Sequence, residues 1–411
     1  MHIAMKDSGI EWIGEIPSHW KVSKIKYFYD CLDGKRVPVD AELRERGPYP
    51  YWGAGSIMDY VNDYLFNEEL VLLGEDGAPF FDYTRPVAFL INEPVWVNNH
   101  IHVLRPKKDK VNSRFFVHWL NNVDYNSYIN GSILNKLTQN NMATIAFAVP
   151  PLEEQAQIAD YLDVKCSEID TVLKKTRLTI EEYKKLKQSL ITQAVISGVR
   201  EHCDLKDSGE EWLGKIPQSW SIIRGKGLFI EVDERSEDGS EELLTVSQYT
   251  GITPRSQKNV NMFKAESLKG YKICRVGDIA ANTMWLWAGA IGVSQYEGVI
   301  SPSYNVYRQK DNAYDPVYLD YLLRVQPLVQ CYESLSTGIR ASRLRLYPQQ
   351  FLGIYYPVPP VEEQQEIVQY LQEKCSAMDM LIAKKEQYLA ELESYKKSLI
   401  YEYVTGKKEV L

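Results

Sequence analysis

Side chains able to hold phosphates and read base edges collect at one matching place in each half of the chain. Between Ser334 and Val361 there is no acidic residue, and Arg340, Arg343 and Arg345 fall within the stretch STGIRASRLRL. The corresponding stretch of the first half, NGSILNKLTQNN at 130–141, carries Lys136 and five Asn or Gln side chains, again without an acid. Arg and Lys hold phosphates, whereas Arg, Asn and Gln can read base edges in a major groove. A solvated basic loop would look the same residue by residue; its recurrence in both halves favours nucleic acid. The formal net charge of −8 speaks against such a partner, because phosphate binding normally shows as a basic excess. The acidic residues must then be segregated onto helices and outer faces.

Other chemistry is weakly encoded. The segment NHIH at 99–102 would put His100 and His102 on one face of a strand, but no third metal ligand is evident from the sequence. The carboxylates Glu75 and Asp76 of GEDG resemble a metal pair, yet a tight turn explains them better. There is no GxxxxGK[ST] phosphate loop. The pairs Pro150-Pro151 and Pro359-Pro360 read VPPL and VPPV, without the flanking Asn, Asp or Ser and aromatic that hold a flipped adenine in methyltransferases. No catalytic constellation emerges. The six cysteines include no CxxC pair, which argues for a reducing cytoplasm and against a zinc site or disulfide frame. No signal peptide is read at MHIAMKDSGI, and no apolar run reaches the ~18 residues of a membrane span.

The elements that would position these loops are duplicated. KDSGIEWIGEIPSHW at 6–20 returns as KDSGEEWLGKIPQSW at 206–220, and VPPLEEQAQIADYL at 149–162 returns as VPPVEEQQEIVQYL at 358–371. A Lys/Glu-rich segment follows each second motif, whereas the regions between the motifs, 21–148 and 221–357, differ. Two copies make a duplicated domain and not a solenoid.

Each PPxEEQ segment reads as the start of a long helix. The prolines stand just ahead of the first turn, and Glu153, Glu154, Glu362 and Glu363 suit the positive end of the helix dipole. Apolar residues then recur in steps of four and three. They are Leu162, Cys166, Ile169, Leu173, Ile180, Tyr183, Leu190 and Ala194 in the first helix, and Leu371, Cys375, Met378, Ile382, Leu389, Leu392, Leu399 and Tyr403 in the second. Lys187 and Lys396 interrupt both seams. This period predicts an intramolecular coiled coil, roughly 65 Å long for helices of about 45 residues. Separate packing of each helix on its own domain is the alternative.

The variable regions read as α/β domains rich in strands. VWVNNHIHVLR at 95–105 and VISPSYNVYR at 299–308 alternate and carry β-branched and aromatic residues, with turn signals at 74–79, 237–240 and 287–292. Tyr49, Tyr51, Trp52, Trp285 and Trp287 cluster here. Such aromatics are more often core than platforms for bases or sugars.

Taken together, the duplicated KDSGxEWxGxIPxxW and PPxEEQ motifs with dissimilar regions between them resemble the specificity (S) subunit of type I restriction–modification enzymes. The resemblance covers essentially the whole chain and also includes MWLWAGAIGVS…VISPSYNVYR (284–308), GSILNKL (131–137) and TGIRASRL (337–344). It implies two α/β target-recognition domains separated by two long conserved helices that form an antiparallel intramolecular coiled coil, with pseudo-twofold symmetry. The corresponding divisions are 1–148 and 201–357 for recognition, and 149–200 and 358–411 for the helical regions. The family pattern implies that each domain reads half of a bipartite double-stranded DNA target while the coiled coil sets the gap. Two modification (methyltransferase) subunits and restriction subunits are the implied partners. They would carry S-adenosylmethionine, ATP and Mg, leaving this chain without cofactor, metal or catalysis, and the setting would be cytoplasmic, without a membrane. The candidate DNA contacts are Lys35, Arg36, Tyr51, Trp52, Asn130, Ser132 and Lys136 in the first half. In the second they are Gln248, Tyr249, Arg255, Trp285, Arg340, Ser342 and Arg343. Two other classes stay open: a methyltransferase or nuclease fused to its own recognition domains, and a coiled-coil scaffold that binds something other than DNA.

Overall fold

The computed structural model describes residues 4–82, 84–129, 135–200, 203–257, 267–338 and 344–410. It divides into two compact units, Met1–Leu178 with Lys385–Leu411 and Thr179–Lys384. These units cut the chain differently from the four consecutive regions drawn from the sequence, because the division falls inside each long helix.

The first unit is built on a four-stranded sheet of β1 (Tyr29–Cys31), β2 (Leu70–Gly74), β3 (Ala88–Ile91) and β4 (Ile101–Pro106), in the order β1-β4-β2-β3. All its ladders are antiparallel. The sequence LVLLG of β2 is buried throughout, as a central strand covered on both faces must be. A helix at Ser113–Leu120 packs Phe115, Phe116, Trp119 and Leu120 into the core. Asn112 caps it, its side chain accepting from the backbone N–H of Arg114 and Phe115.

The second unit repeats this plan with other residues. Strands β5 (Phe229–Val232), β6 (Ile279–Ala281), β7 (Ile291–Val293) and β8 (Asn305–Gln309) lie in the order β5-β8-β6-β7, again all antiparallel. The helix Pro316–Arg324 has proline in its first turn and Asp315 as its cap. Its core gathers Tyr307, Tyr314, Tyr318, Tyr332 and Tyr356 around Phe351.

Long helices run over Leu152–Ser197 and Val361–Val404. Inside the first unit their segments are antiparallel: Tyr161 meets Tyr403, Asp170 meets Lys396 and Arg177 meets Glu393. Inside the second unit, Lys187 meets Asp379 and Arg200 meets Glu366. Seam residues Leu162, Ile169, Leu173, Ile180, Leu371, Ile382 and Leu399 are buried, while Leu190, Met378 and Leu389 are partly so. The two lysines that interrupt the seams sit where a carboxylate of the other helix can reach them, at 2.6–2.7 Å. Their pairs are one arrangement used twice, since 396 − 187 and 379 − 170 both equal the repeat offset of 209. Among the described residues no helix is long and apolar enough to cross a membrane.

The repeated motifs prove to be joints. Asp7 and Asp207 each accept from the backbone N–H two residues on, at Gly9 and Gly209, and both glycines have positive φ. Trp20 and Trp220 are fully buried. The end of the second long helix, at Gly406, lies against Pro17 and Trp20, and that of the first, at Gly198, lies against Pro217 and Trp220. Gln155 and Gln364, the glutamines of PPxEEQ, have no exposed surface. Each donates back to the first proline carbonyl of its own motif (2.9 Å) and accepts the N–H of a helix-capping residue, Asn112 at 2.8 Å or Asp315 at 2.7 Å. One glutamine in each unit thus fastens a short-helix cap to the start of a long helix.

Candidate nucleic-acid interface

The differing residues gather beyond the central strands β2 and β6. In the first unit Glu75 and Asp76 follow β2, opposite the limb that carries Lys136. Gly77 N–H donates to the Asn135 carbonyl at 3.1 Å, and Leu137 N–H donates to the Glu75 carbonyl at 2.7 Å. Lys136 lies 3.2 Å from Glu75 and 3.6 Å from Asp76, and these carboxylates hold its ammonium above the ordinary lysine value. Asp76 also meets His100 Nδ1 at 2.6 Å.

Beneath this surface lies a buried ionic network. His102 has no exposed surface; its Nε2 faces the Leu137 carbonyl at 2.8 Å and its Nδ1 faces Asp33 at 2.6 Å. A carbonyl only accepts, so Nε2 donates to it. Asp33 accepts as well from Val103 N–H at 2.8 Å and from Gln139 at 2.7 Å. Burial opposes its ionisation, but the His102 hydrogen bond and charge, the Val103 N–H and the Arg36 guanidinium outweigh it. They hold the carboxyl below the usual range.

Asp33, Glu75 and His102 bring ligand-type atoms within 4.8 Å of one another. Only one of the two histidines of NHIH joins this set: His100 lies apart and pairs with Asp76. Donors already face these atoms: Arg36 reaches Glu75 at 2.6 Å, Lys136 reaches it too, and His102 reaches Asp33. The donor set is therefore that of an ion-pair network and not of a cation cage.

Among the described residues, the second unit carries no such charge at the place that matches Glu75 and His102. His102 pairs across the sheet with Leu73, two residues before Glu75; Asn305 pairs with Ala281, two residues before Thr283. Thr283 donates to the Ser303 carbonyl, Asn282 to the Tyr304 hydroxyl and Asn305 to the Tyr307 hydroxyl. Trp285 then stands half-exposed, stacked on Trp287 with ring centres 5.7 Å apart. Such a pair presents a flat face on which a base or sugar can lie.

The predicted contacts divide accordingly. Arg36 is a largely buried strut: besides Glu75 it donates to the Ile101 carbonyl at 2.8 Å and the Asp33 carbonyl at 3.0 Å. Tyr51 is fully buried, its hydroxyl accepting the Val39 N–H, and Trp52 packs on Phe89 in the core. Tyr51 and Trp52 are thus core residues, while Arg36 stays partly exposed. Lys35, Lys136, Tyr249 and Trp285 are exposed, and Gln248 and Arg255 are partly so. Tyr249 is the most open, at 81% exposure, and its carbonyl accepts from Arg324 at 2.9 Å. Asn130, Ser132, Arg340, Ser342 and Arg343 lie outside the described residues. Among the described neighbours of that second loop, Thr337 and Arg345 exchange backbone hydrogen bonds of 3.0 Å.

Comparison with known proteins agrees with this architecture. A family model for the type I restriction modification DNA specificity domain matches residues 17–182. A putative type I restriction enzyme specificity subunit of Haemophilus influenzae is 35% identical over 134 residues, 33% of this chain and 34% of that relative's length. The type I restriction enzyme MjaVIII specificity subunit of Methanocaldococcus jannaschii is 24% identical over 417 residues, covering 96% of this chain and 94% of that one. Among solved structures, a chain from work on complex assembly and conformational transition of the type I R-M system superposes with a TM-score of 0.66. It is 15% identical and covers 96% of this chain and 99% of its own length. The HsdS subunit from Thermoanaerobacter tengcongensis gives a TM-score of 0.50 at 15% identity, with 96% and 98% covered. The fold is that of the solved chains it resembles. Over residues 17–182 the chain resembles the type I restriction modification DNA specificity domain, and over nearly its whole length it is similar, at 24% identity, to type I restriction enzyme specificity subunits.

Proposed function

We propose that this chain selects a bipartite double-stranded DNA target, its first unit reading one half-site and its second unit the other. The observation that carries this reading is the division of labour between repeated and differing residues. Repeated residues such as Gln155 and Gln364 make the same joint in both units, while the ends of β2 and β6 carry different chemistry. Two readers on one frame need that pattern. The paired helices set the number of unread base pairs between half-sites, a 46-residue helix being roughly 70 Å long. The repeated joints and helices dock two copies of a modification subunit, which bind S-adenosylmethionine and methylate adenine. Restriction subunits use ATP and Mg for translocation and cleavage, and this chain contributes recognition without chemistry of its own. The test replaces residues 21–148 with the matching region of a relative and reads the methylated sequences made by the reconstituted complex. One half-site should change while the other and the gap stay fixed; a change in both half-sites overturns the two-reader model.

A further inference from the structure

The buried Asp33–His102 pair is an odd thing for a small sheet to keep. Removing two ionic groups from water costs several kcal/mol, and an apolar pair of similar volume is often as stable or more so. What a fully satisfied polar network supplies instead is a single geometry. Here that geometry belongs to the limb 135–139. His102 donates to the Leu137 carbonyl, Gln139 donates to Asp33, and Arg36 braces both Asp33 and Glu75. Leu137 N–H and the Asn135 carbonyl then lock onto the 75–77 turn. Charged groups from three separate parts of the first unit so fix one short piece of backbone, with the exposed Lys136 on it. Among the described residues of the second unit, the matching place holds uncharged Asn282, Thr283 and Asn305, and Thr337 and Arg345 exchange backbone hydrogen bonds.

We propose that Asp33 and His102 are positioning residues for DNA reading: they set segment 135–139 against the Glu75–Gly77 turn, and the first unit's discrimination between bases depends on that setting. The inference rests on the two-reader function proposed above. It assigns neither residue a contact with DNA.

The experiment uses the full chain assembled with its modification subunits and the variants Asp33→Asn, His102→Asn and the double variant. His102→Asn installs the side chain that the second unit carries at the equivalent position, Asn305. Discrimination against a wrong base in the first half-site should fall by about 10–100-fold, the range of one base-pair mismatch. The second half-site should stay intact. The two single changes should be strongly non-additive because they break one pair. The slope of affinity against salt should not move, since no phosphate contact is lost. Gln139→Leu removes one surface tether while leaving the His–Asp pair, so it tests the same idea in a chain that keeps its core; it should relax the same half-site more weakly. Full discrimination at both half-sites, with faster hydrogen exchange at Gly77 and Leu137, would reduce the network to a structural brace and overturn the inference. Relaxation of both half-sites together would overturn it too, as general loss of structure. The two-reader function fails by a separate result, an unchanged target after replacement of residues 21–148.

Discussion

The ends of β2 and β6 occupy the same place in the same sheet order, yet they are built from opposite materials. Beyond β2 stand Glu75 and Asp76 with Arg36, His100, His102 and Lys136 around them; beyond β6 stand Asn282, Thr283 and two stacked tryptophans. The sheet tolerates both because its order is fixed elsewhere, by the strand ladders and by a glutamine joint in each unit. Charge is not missing from the second unit. It has moved to the other end of the fourth strand, where Arg308 joins nearly buried Asp278 at 2.7 and 2.9 Å and Glu234 at 3.0 Å. The lesson is that a reading surface can change completely while its frame is untouched, provided each buried charge keeps its partner.

The strongest way to separate the units is alkali. Burial raises the hydroxyls of Tyr304, Tyr307, Tyr314, Tyr318, Tyr321, Tyr332 and Tyr356 in the second unit, against Tyr29, Tyr125 and Tyr403 in the first. A tyrosine whose folded pKa lies above its unfolded value of ~10 contributes stability that is complete below pH ~10. That stability drains away as pH rises towards the folded value. Each such group steepens the loss by about 1.4 kcal/mol per pH unit. The second unit should therefore open first above pH ~10, followed by tyrosinate absorbance and by proteolysis mapped to each unit. Earlier opening of the first unit would break the comparison.

A smaller difference lies in two arginines at one ladder position. Arg308→Met strands Asp278, which is 1% exposed, and should cost the second unit about 3–5 kcal/mol. Arg105→Met frees only Glu68, whose side chain is 35% exposed, and should cost the first unit about 0–1 kcal/mol. Urea unfolding followed with a probe in each unit measures both, and equal costs would show that burial of the partner does not decide the outcome.

The smallest difference is at the entry joints. Trp20 donates to Glu154 at 3.0 Å, and His19 meets the other carboxylate oxygen at 2.9 Å. In the second unit Glu363 Oε1 and the Trp220 indole nitrogen are both buried without a hydrogen-bond partner, and Arg200 stays 3.8 Å from the other oxygen. Glu154→Gln should destabilise the first unit by about 1 kcal/mol. Glu363→Gln should leave the second unit unchanged or firmer, because a buried oxygen without a donor loses its charge. Thermal unfolding of the two variants compares them directly.

Much of the frame could be read from the sequence because its signals are local or repeated. The seam from Leu162 to Leu399 follows from spacing, and the prolines and acidic first turns mark where each long helix begins. The joints could not be foreseen. Gln155 looked like any helix residue, and its partner is a backbone N–H at Asn112, 43 residues away. Arg36 stood among the candidate DNA contacts, and an arginine shows its charge in the sequence but not its pairing with Glu75. Tyr51 and Trp52 likewise gave no sign of which face of the sheet they would take. Asp33 and His102 lie 69 residues apart, so neither revealed the other. Local pattern specifies elements, whereas long-range pairing specifies what the elements do.

The division of the chain also sets an order in time. The second unit is continuous, Thr179–Lys384, so all of it is synthesised before Lys385–Leu411 of the first unit. The first unit is not: Ile13, Ile16 and Trp20 are covered in part by Leu399, Tyr403 and Val404. At ~5–20 residues per second of synthesis, the wait between these segments is roughly 20–80 s. During that interval Ile13, Ile16 and Trp20 lack the part of their apolar cluster that Leu399, Tyr403 and Val404 supply.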